Sequence, residues 1–277
     1  MIKTNMANKG MKATLALAIA SAISLPALSH DVWISADSFE IHSDEQNVYS
    51  LDVSRSAEAF LSEKNHKTGN MTIVGPKKDA KTYAAAFSGK NKEVYEAEFN
   101  DYGTYYLNAD ETQVFLTFYE DEAGKEHKVR MPKSQYSTLP KGVKIEKTVE
   151  KRLATESYVS FNGMSDISKE IRKEGVTIIP NIHPSKITTD EPFSFTIYVD
   201  GKAMEKGEVA LKSLNHLYYD DYEEVEIEEA KGGIYEFEVK HPGRYLLGVE
   251  LESTLSGKGD ADFLSQERFL TFDIKSN

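Results

Sequence analysis

Val94-Tyr95-Glu96-Ala97-Glu98-Phe99, continued by Asn100-Asp101-Tyr102-Gly103-Thr104-Tyr105-Tyr106-Leu107, is the stretch whose reading decides the fold. Apolar and polar residues alternate along its first half, the period of a half-buried strand. Gly103 then breaks the run, and a second β-prone segment follows. The pattern returns without a gap in Ile234-Tyr235-Glu236-Phe237-Glu238-Val239 and Lys240-His241-Pro242-Gly243-Arg244-Tyr245-Leu246-Leu247. Tyr95/Tyr235, Glu96/Glu236, Glu98/Glu238, Gly103/Gly243, Tyr105/Tyr245 and Leu107/Leu247 are identical. The expected unit is a hairpin, with a strand, a glycine turn and a returning strand whose tyrosine packs inward, present twice. Such a unit occurs in many immunoglobulin-like and transthyretin-like modules, so it speaks to fold and not to activity.

Outward from these copies, short alternating runs continue on both sides. Val48–Val53, Met71–Val74, Thr104–Leu107 and Val114–Tyr119 belong to the first series. Val176–Ile179, Phe193–Val199, Glu208–Lys212, Glu224–Glu228, Arg244–Leu251 and Arg268–Ile274 belong to the second. Asp200-Gly201, Gly232-Gly233 and Pro242-Gly243 punctuate them as turns. The predicted fold is all-β, with two tandem immunoglobulin-like or transthyretin-like β-sandwich domains at 30–165 and 175–277. Asp121–Glu174 reads as an irregular arm of the first domain, with Ser165–Lys173 able to make two helical turns before a linker near Asp166–Gly175.

Residues 1–29 read as a cleaved secretory signal. Lys3, Lys9 and Lys12 precede an apolar run from Ala13 to Leu25, and Ala27-Leu28-Ser29 offers small residues for cleavage. The apolar run is too short to span a bilayer, and no later stretch is long enough, so no integral membrane protein is expected. The expected location is the periplasm. The chain of 277 residues has a formal charge of −12, which argues against nucleic-acid binding because no basic excess neutralises phosphates. With no cysteine, disulfides, thiolate metal sites and cysteine nucleophiles are all excluded.

Cleavage at that point would make His30 the first residue of His30-Asp31-Val32-Trp33. An N-terminal histidine offers an α-amino group and an imidazole that can chelate one metal ion together. A further histidine would complete a nitrogen site suited to copper or nickel. His183, in the turn Asn181-Ile182-His183-Pro184, and His216, in a loop rich in tyrosine and aspartate, are the candidates. The plainer reading of His183 is a hydrogen-bonded surface residue, and that of His216 an aromatic hairpin tip. His241 reads as structural at the repeat turn, and Glu223–Glu229 as a solvated strand face. No nucleophile elbow, phosphate loop or dinucleotide fingerprint is present, so no catalytic residue is nominated.

Several segments together resemble one bacterial family, the domain of unknown function 4198, often labelled a periplasmic nickel or cobalt uptake component. They are His30-Asp31-Val32-Trp33-Ile34, Gly175–Pro180 with His183-Pro184, Val199–Ala203, Pro242–Leu247 and Arg268–Phe272. The resemblance implies a periplasmic two-domain β protein associated with transition-metal uptake, with His30 and His183 at matching positions. Family members often carry a further His or Trp where this chain has Glu250 and Phe263. The leading expectation is capture of nickel, cobalt or copper through His30, completed by His183 or His216, and delivery to an inner- or outer-membrane metal transporter. The rival is a non-catalytic tandem β-sandwich that binds a membrane or envelope protein through an edge strand. A copper-dependent redox enzyme is a third possibility without a substrate clue.

Overall fold

The computed structural model describes residues 30–276 apart from Ser168, Lys169, Glu223 and Lys258, so the expected signal segment lies outside the described residues. The first strands are β1 (Asp31–Ala36), β2 (Glu40–Ile41), β3 (Val48–Ser56), β4 (Asn70–Val74), β5 (Ala80–Ala84) and β6 (Phe87–Ser88). Next come β7 (Lys92–Glu98), β8 (Gly103–Glu120), β9 (Glu126–Arg130), β10 (Lys144–Phe161), β11 (Val176–Pro180) and β12 (Phe193–Val199). The last are β13 (Lys202–Ala203), β14 (Lys206–Ser213), β15 (Val225–Glu229), β16 (Ile234–Phe237), β17 (Gly243–Thr254) and β18 (Phe263–Ile274). Among the described residues the helical elements are short 3-10 turns, and the fold is all-β.

One ten-stranded sheet runs β15-β14-β17-β18-β10-β8-β4-β5, with β2 joined to β10 and β9 to β8. Two smaller sheets, β1-β3-β7-β6 and β11-β12-β13 with β16 on β12, complete the molecule. The order repeats: β1-β3-β7 matches β11-β12-β16, and β10-β8-β4-β5 matches β18-β17-β14-β15. At the centre β10 and β18 pair in parallel, from Val149↔Phe263 to Ser157↔Thr271.

The two small sheets cover opposite faces of the large one. Neighbouring residues on a strand point to opposite faces, and here they enter different cores. Leu246 and Phe269 join Val32, Ile34, Leu51, Tyr95 and Phe99 in the first core. Leu247 and Leu270 join Ile178, Phe195, Tyr235 and Phe237 in the second. A parallel central pair with a covering sheet on each face is what a two-fold axis between β10 and β18, along the strands, would generate. The molecule is two β-sandwich units sharing one sheet.

This arrangement corrects three expectations. Lys144–Phe161, read as part of an irregular arm, is an eighteen-residue strand in the middle of the large sheet. Every residue from Leu153 to Phe161 is buried, because a core lies on each side, so no one-sided alternation can exist there. Thr104–Leu107 and Val114–Tyr119 belong to one strand, β8, bulged against β10 near Leu153 and Thr155. The described part of Ser165–Lys173 is not helical.

The repeat is real but is not a hairpin. β7 pairs with β3 while β8 lies in the large sheet, and β16 pairs with β12 while β17 lies in the large sheet. The chain crosses between layers at each copy, and the tyrosine fastens the crossing. Tyr105 Oη donates to the Asp101 carbonyl at 2.9 Å, and Tyr245 Oη donates to the His241 carbonyl at 2.7 Å. A tyrosine hydroxyl tied to backbone four residues upstream is the tyrosine corner of immunoglobulin-type sandwiches. Gly103 and Gly243 open the second strands at φ 137° and 150°. A Cβ there would stand 2.8 Å from Pro76 Cβ or 2.9 Å from Asn215 Oδ1, which explains both glycines.

Candidate functional site

His30 leads directly into β1, whose residues Asp31–Ile34 are all buried. Asp31 lies opposite Ser56 at the end of β3, and its carboxylate reaches across to the large sheet. Lys212 Nζ donates to Asp31 Oδ1 at 3.5 Å and contacts Glu224 Oε1 at 3.3 Å. Asp31 Oδ2 is buried without a hydrogen-bond partner. Burial pushes the Asp31 carboxyl up to about 6; Lys212 opposes the shift, while Glu224 and Glu267 add to it. Burial works against the Lys212 ammonium, but Asp31 and Glu224 outweigh it and its pKa is raised.

Two residues beyond Ser56, Glu58 meets the 3-10 turn Leu214–Leu217 that follows β14. Its Oε1 stands 2.5 Å from His216 Nε2, and His216 Nδ1 is 3.2 Å from the Ser213 carbonyl. Both ring nitrogens therefore face oxygen acceptors. Which ring nitrogen carries the proton depends on the tautomer, and an Nε2–H donating to the Glu58 carboxylate satisfies the shorter contact.

The other two expected ligands sit differently. His30 is partly buried with Nε2 3.4 Å from Lys64 Nζ. Its neighbour Asp31 pairs with Ser56, two residues before the Glu58 that meets His216. His183 Nδ1 accepts from the Ser185 amide at 3.1 Å, capping the turn Pro184–Lys186, which leaves Nε2 to donate to Thr104 Oγ1 at 2.8 Å. Ser160 continues this hydroxyl network to Ser185 at 2.9 Å. Burial, then Lys186, lowers the His183 pKa and keeps the ring neutral. The contacts of His30 and of His216 are thus with different residues, and His183 caps a turn elsewhere. Among the described residues no three His, Asp or Glu side chains are arranged to hold a metal ion.

A row of glutamates escaped sequence reading. Register sets Glu208 opposite Glu250 and Glu250 opposite Glu267 on three adjacent strands. Lys151 Nζ contacts Glu267 Oε1 at 2.5 Å. Burial, then the Glu267 charge, pushes Glu250 up to about 7. His66, buried nearby, is lowered to about 4 by burial and then by Arg55. Nothing within one strand announces such a row, because it exists only once the register is known. On the opposite face of the sheet, Arg268 Nη1 donates to Glu156 at 2.7 Å and Tyr106 Oη donates to the same carboxylate at 2.6 Å.

The model of a family described as a domain of unknown function (DUF4198) matches residues 27–253. No curated protein matches the chain. Among solved structures, a DUF4785 family protein from Legionella pneumophila is 11% identical with a TM-score of 0.25, covering 78% of this chain and 51% of its own. The chain thus spans about half the length of that protein. The D0-D1 domain of Intimin is 10% identical with a TM-score of 0.21, covering 87% of this chain and 97% of its own. Among the described residues no helix is long and apolar enough to cross a membrane.

Proposed function

The chain belongs to the DUF4198 family of unknown function, and from that premise we propose that it is an exported periplasmic protein that binds a transition-metal ion and delivers it to a membrane transporter. The observation that carries this reading is His216, whose Nε2 faces the Glu58 carboxylate while Nδ1 is held by the Ser213 carbonyl. A metal ion would replace that hydrogen bond, with Nε2 and the Glu58 carboxylate as its first donors. The donor set is nitrogen and oxygen without sulfur, which suits nickel, cobalt or zinc better than copper(I). His30 would add its imidazole and, after cleavage before it, its α-amino group. Lys64 and Lys212 keep these surroundings from being a purely anionic trap. Their positive charge suits an ion that is passed on and not kept.

The test is metal content and affinity of naturally exported protein whose N-terminus is confirmed by mass spectrometry. Near-stoichiometric nickel or cobalt, lost in His216→Ala and weakened by one extra residue before His30, is the expected result. Absence of metal from the wild type under nickel and cobalt loading would overturn the reading.

One surface favours the second reading, an interaction module. Leu217, Tyr218 and Tyr219 are 52%, 74% and 38% exposed at the tip beyond His216. Exposed aromatics of this kind anchor protein partners. Loss of an envelope partner in Tyr218→Ser, with metal content unchanged, would support that reading over delivery through His216.

A further inference from the structure

The chain has six arginines, and four of them are partnered. Arg152 meets Glu150, Arg244 meets Asp273, Arg268 meets Glu156, and Arg172 donates to the Asn108 amide oxygen. Arg55 and Arg130 have no hydrogen bond or ion pair through their side chains among the described residues.

The fold turns these two toward one place. Leu51 and Val53 of β3 lie in the first core, and alternation puts Arg55 on the same face, opposite Val32 of β1. Arg130 stands on β9 opposite Leu116, which pairs with Val149 on β10. Val149 shares its face with Lys151 and with Leu153, a residue of the first core. The covering sheet and the large sheet thus each send one arginine to the open end of that core. Burial, then the like charge of Arg130, lowers the Arg55 pKa, and no carboxylate among the described residues offsets them.

The surroundings are already satisfied without these two. Lys151 is held by Glu267 at 2.5 Å. The buried Glu93 carboxylate accepts from the Thr68 amide, the Ser88 hydroxyl and the Tyr95 hydroxyl. His66, kept neutral by burial and then by Arg55, has Nε2 3.4 Å from Thr112 Oγ1. Arg55 Nε is meanwhile buried without an acceptor. A buried donor on a charged group is costly unless something accepts from it. A water in that role would leave two positive charges opposed. An oxyanion answers both, because its oxygens accept from guanidinium forks and its charge offsets theirs. Two unmatched positive charges call for two negative ones.

We propose that Arg55 and Arg130 form an anion site at the open end of the first core, which takes a small dianionic oxyanion, a phosphate or a dicarboxylate. It uses none of the His30, His216 and Glu58 donors, so metal binding can fail while this site stands, and the reverse.

Full-length exported protein is titrated with inorganic phosphate and with succinate, at fixed pH and with ionic strength held constant by sodium chloride. The Arg55 Nε–H signal in a nitrogen–proton correlation spectrum reads the site directly. The expected result is a saturable shift of that signal with at least one anion. Affinity should weaken about tenfold or more in Arg130→Gln and, by calorimetry, in Arg55→Gln. Arg130 is exposed on the surface, so its variant keeps the fold even if Arg55→Gln does not. Lys206→Gln, which removes one positive charge at the far edge of the sheet, should leave the affinity unchanged. A response to phosphate alone or to succinate alone supports the site and identifies its ligand class. An unmoved signal with both anions, binding that survives Arg130→Gln, or equal weakening by Lys206→Gln would overturn the proposal.

Discussion

Two ion pairs of nearly equal length occupy opposite extremes of the same sheet. Arg268 and Glu156 meet at 2.7 Å on the central parallel strands, with side chains 3% and 0% exposed. Lys206 and Glu229 meet at 2.8 Å on the outermost strands, with side chains 79% and 71% exposed. Distance alone would rank them together. Burial separates them, because water screens the outer pair and solvates each partner if the other is lost. The central carboxylate has no such alternative, and it is held jointly by Arg268 and the Tyr106 hydroxyl. The centre of the shared sheet is where the two units depend on each other, and its edges are where each stands alone.

Truncating the central pair should give the largest effect. Arg268→Met removes the guanidinium from the buried Glu156 carboxylate and is expected to cost about 4 kcal/mol, read as a lowered urea midpoint. Adding Glu156→Leu should recover much of that loss, since two apolar groups need no compensation. Lys206→Ala, the matching change at the edge, should leave the midpoint where it was. A single cooperative transition for Arg268→Met would further show that the units unfold together through β10 and β18. Two separated transitions would break the idea that the shared sheet couples them.

The glutamate row sharpens the comparison through pH. Glu250 has its pKa raised by burial and by Glu267, from an ordinary carboxylate value to about 7. A raised folded-state value contributes stability below the unfolded pKa, near 4.5, and that contribution is lost as pH rises through 7. Asp31, raised to about 6, acts in the same direction. His66, lowered to about 4, acts oppositely, contributing above pH 6.5 and losing that contribution as pH falls toward 4. Glu250→Gln should therefore match the wild type at pH 5 and exceed it by about 2 kcal/mol at pH 8, allowing for partial exposure of the group. Equal stabilities at both pH values would mean that Lys151 already neutralises the row.

What could be read in advance follows the same division between centre and edge. β7 and β16 each bury one face, so the alternation in Lys92–Glu98 and Ile234–Phe237 is visible and was enough to indicate an all-β fold. β10 is covered on both faces, and its Leu153-Ala154-Thr155-Glu156-Ser157-Tyr158 mixes polar and apolar residues with no period to detect. Its polar groups are accommodated by partners far away in sequence, as when Ser157 Oγ donates to the Thr271 carbonyl. The site divides likewise. His30 and His216 stood out as residue types, but Glu58, the partner of His216, is 158 positions away and nothing local marks it. His183 is displayed by a turn, but Ser185 in that turn and Thr104 on β8 take up its two nitrogens.

The repeat yields the smallest and most discriminating effect. If the two copies are equivalent crossings, Tyr105→Phe and Tyr245→Phe should each cost about 1 kcal/mol, the worth of one partly buried hydrogen bond. The two corners are not identically surrounded. Tyr105 Oη also accepts from the Asp101 amide at 2.8 Å, at the exposed end of the first unit. Tyr245 Oη also accepts from Asn215 Nδ2 at 2.9 Å, on the turn that carries His216. Tyr245→Phe should therefore loosen that turn and weaken any ligand held by His216, while Tyr105→Phe should change stability alone. Equal effects of the two variants on metal or partner binding would show that the second corner is a fastening like the first and has no part in shaping the site.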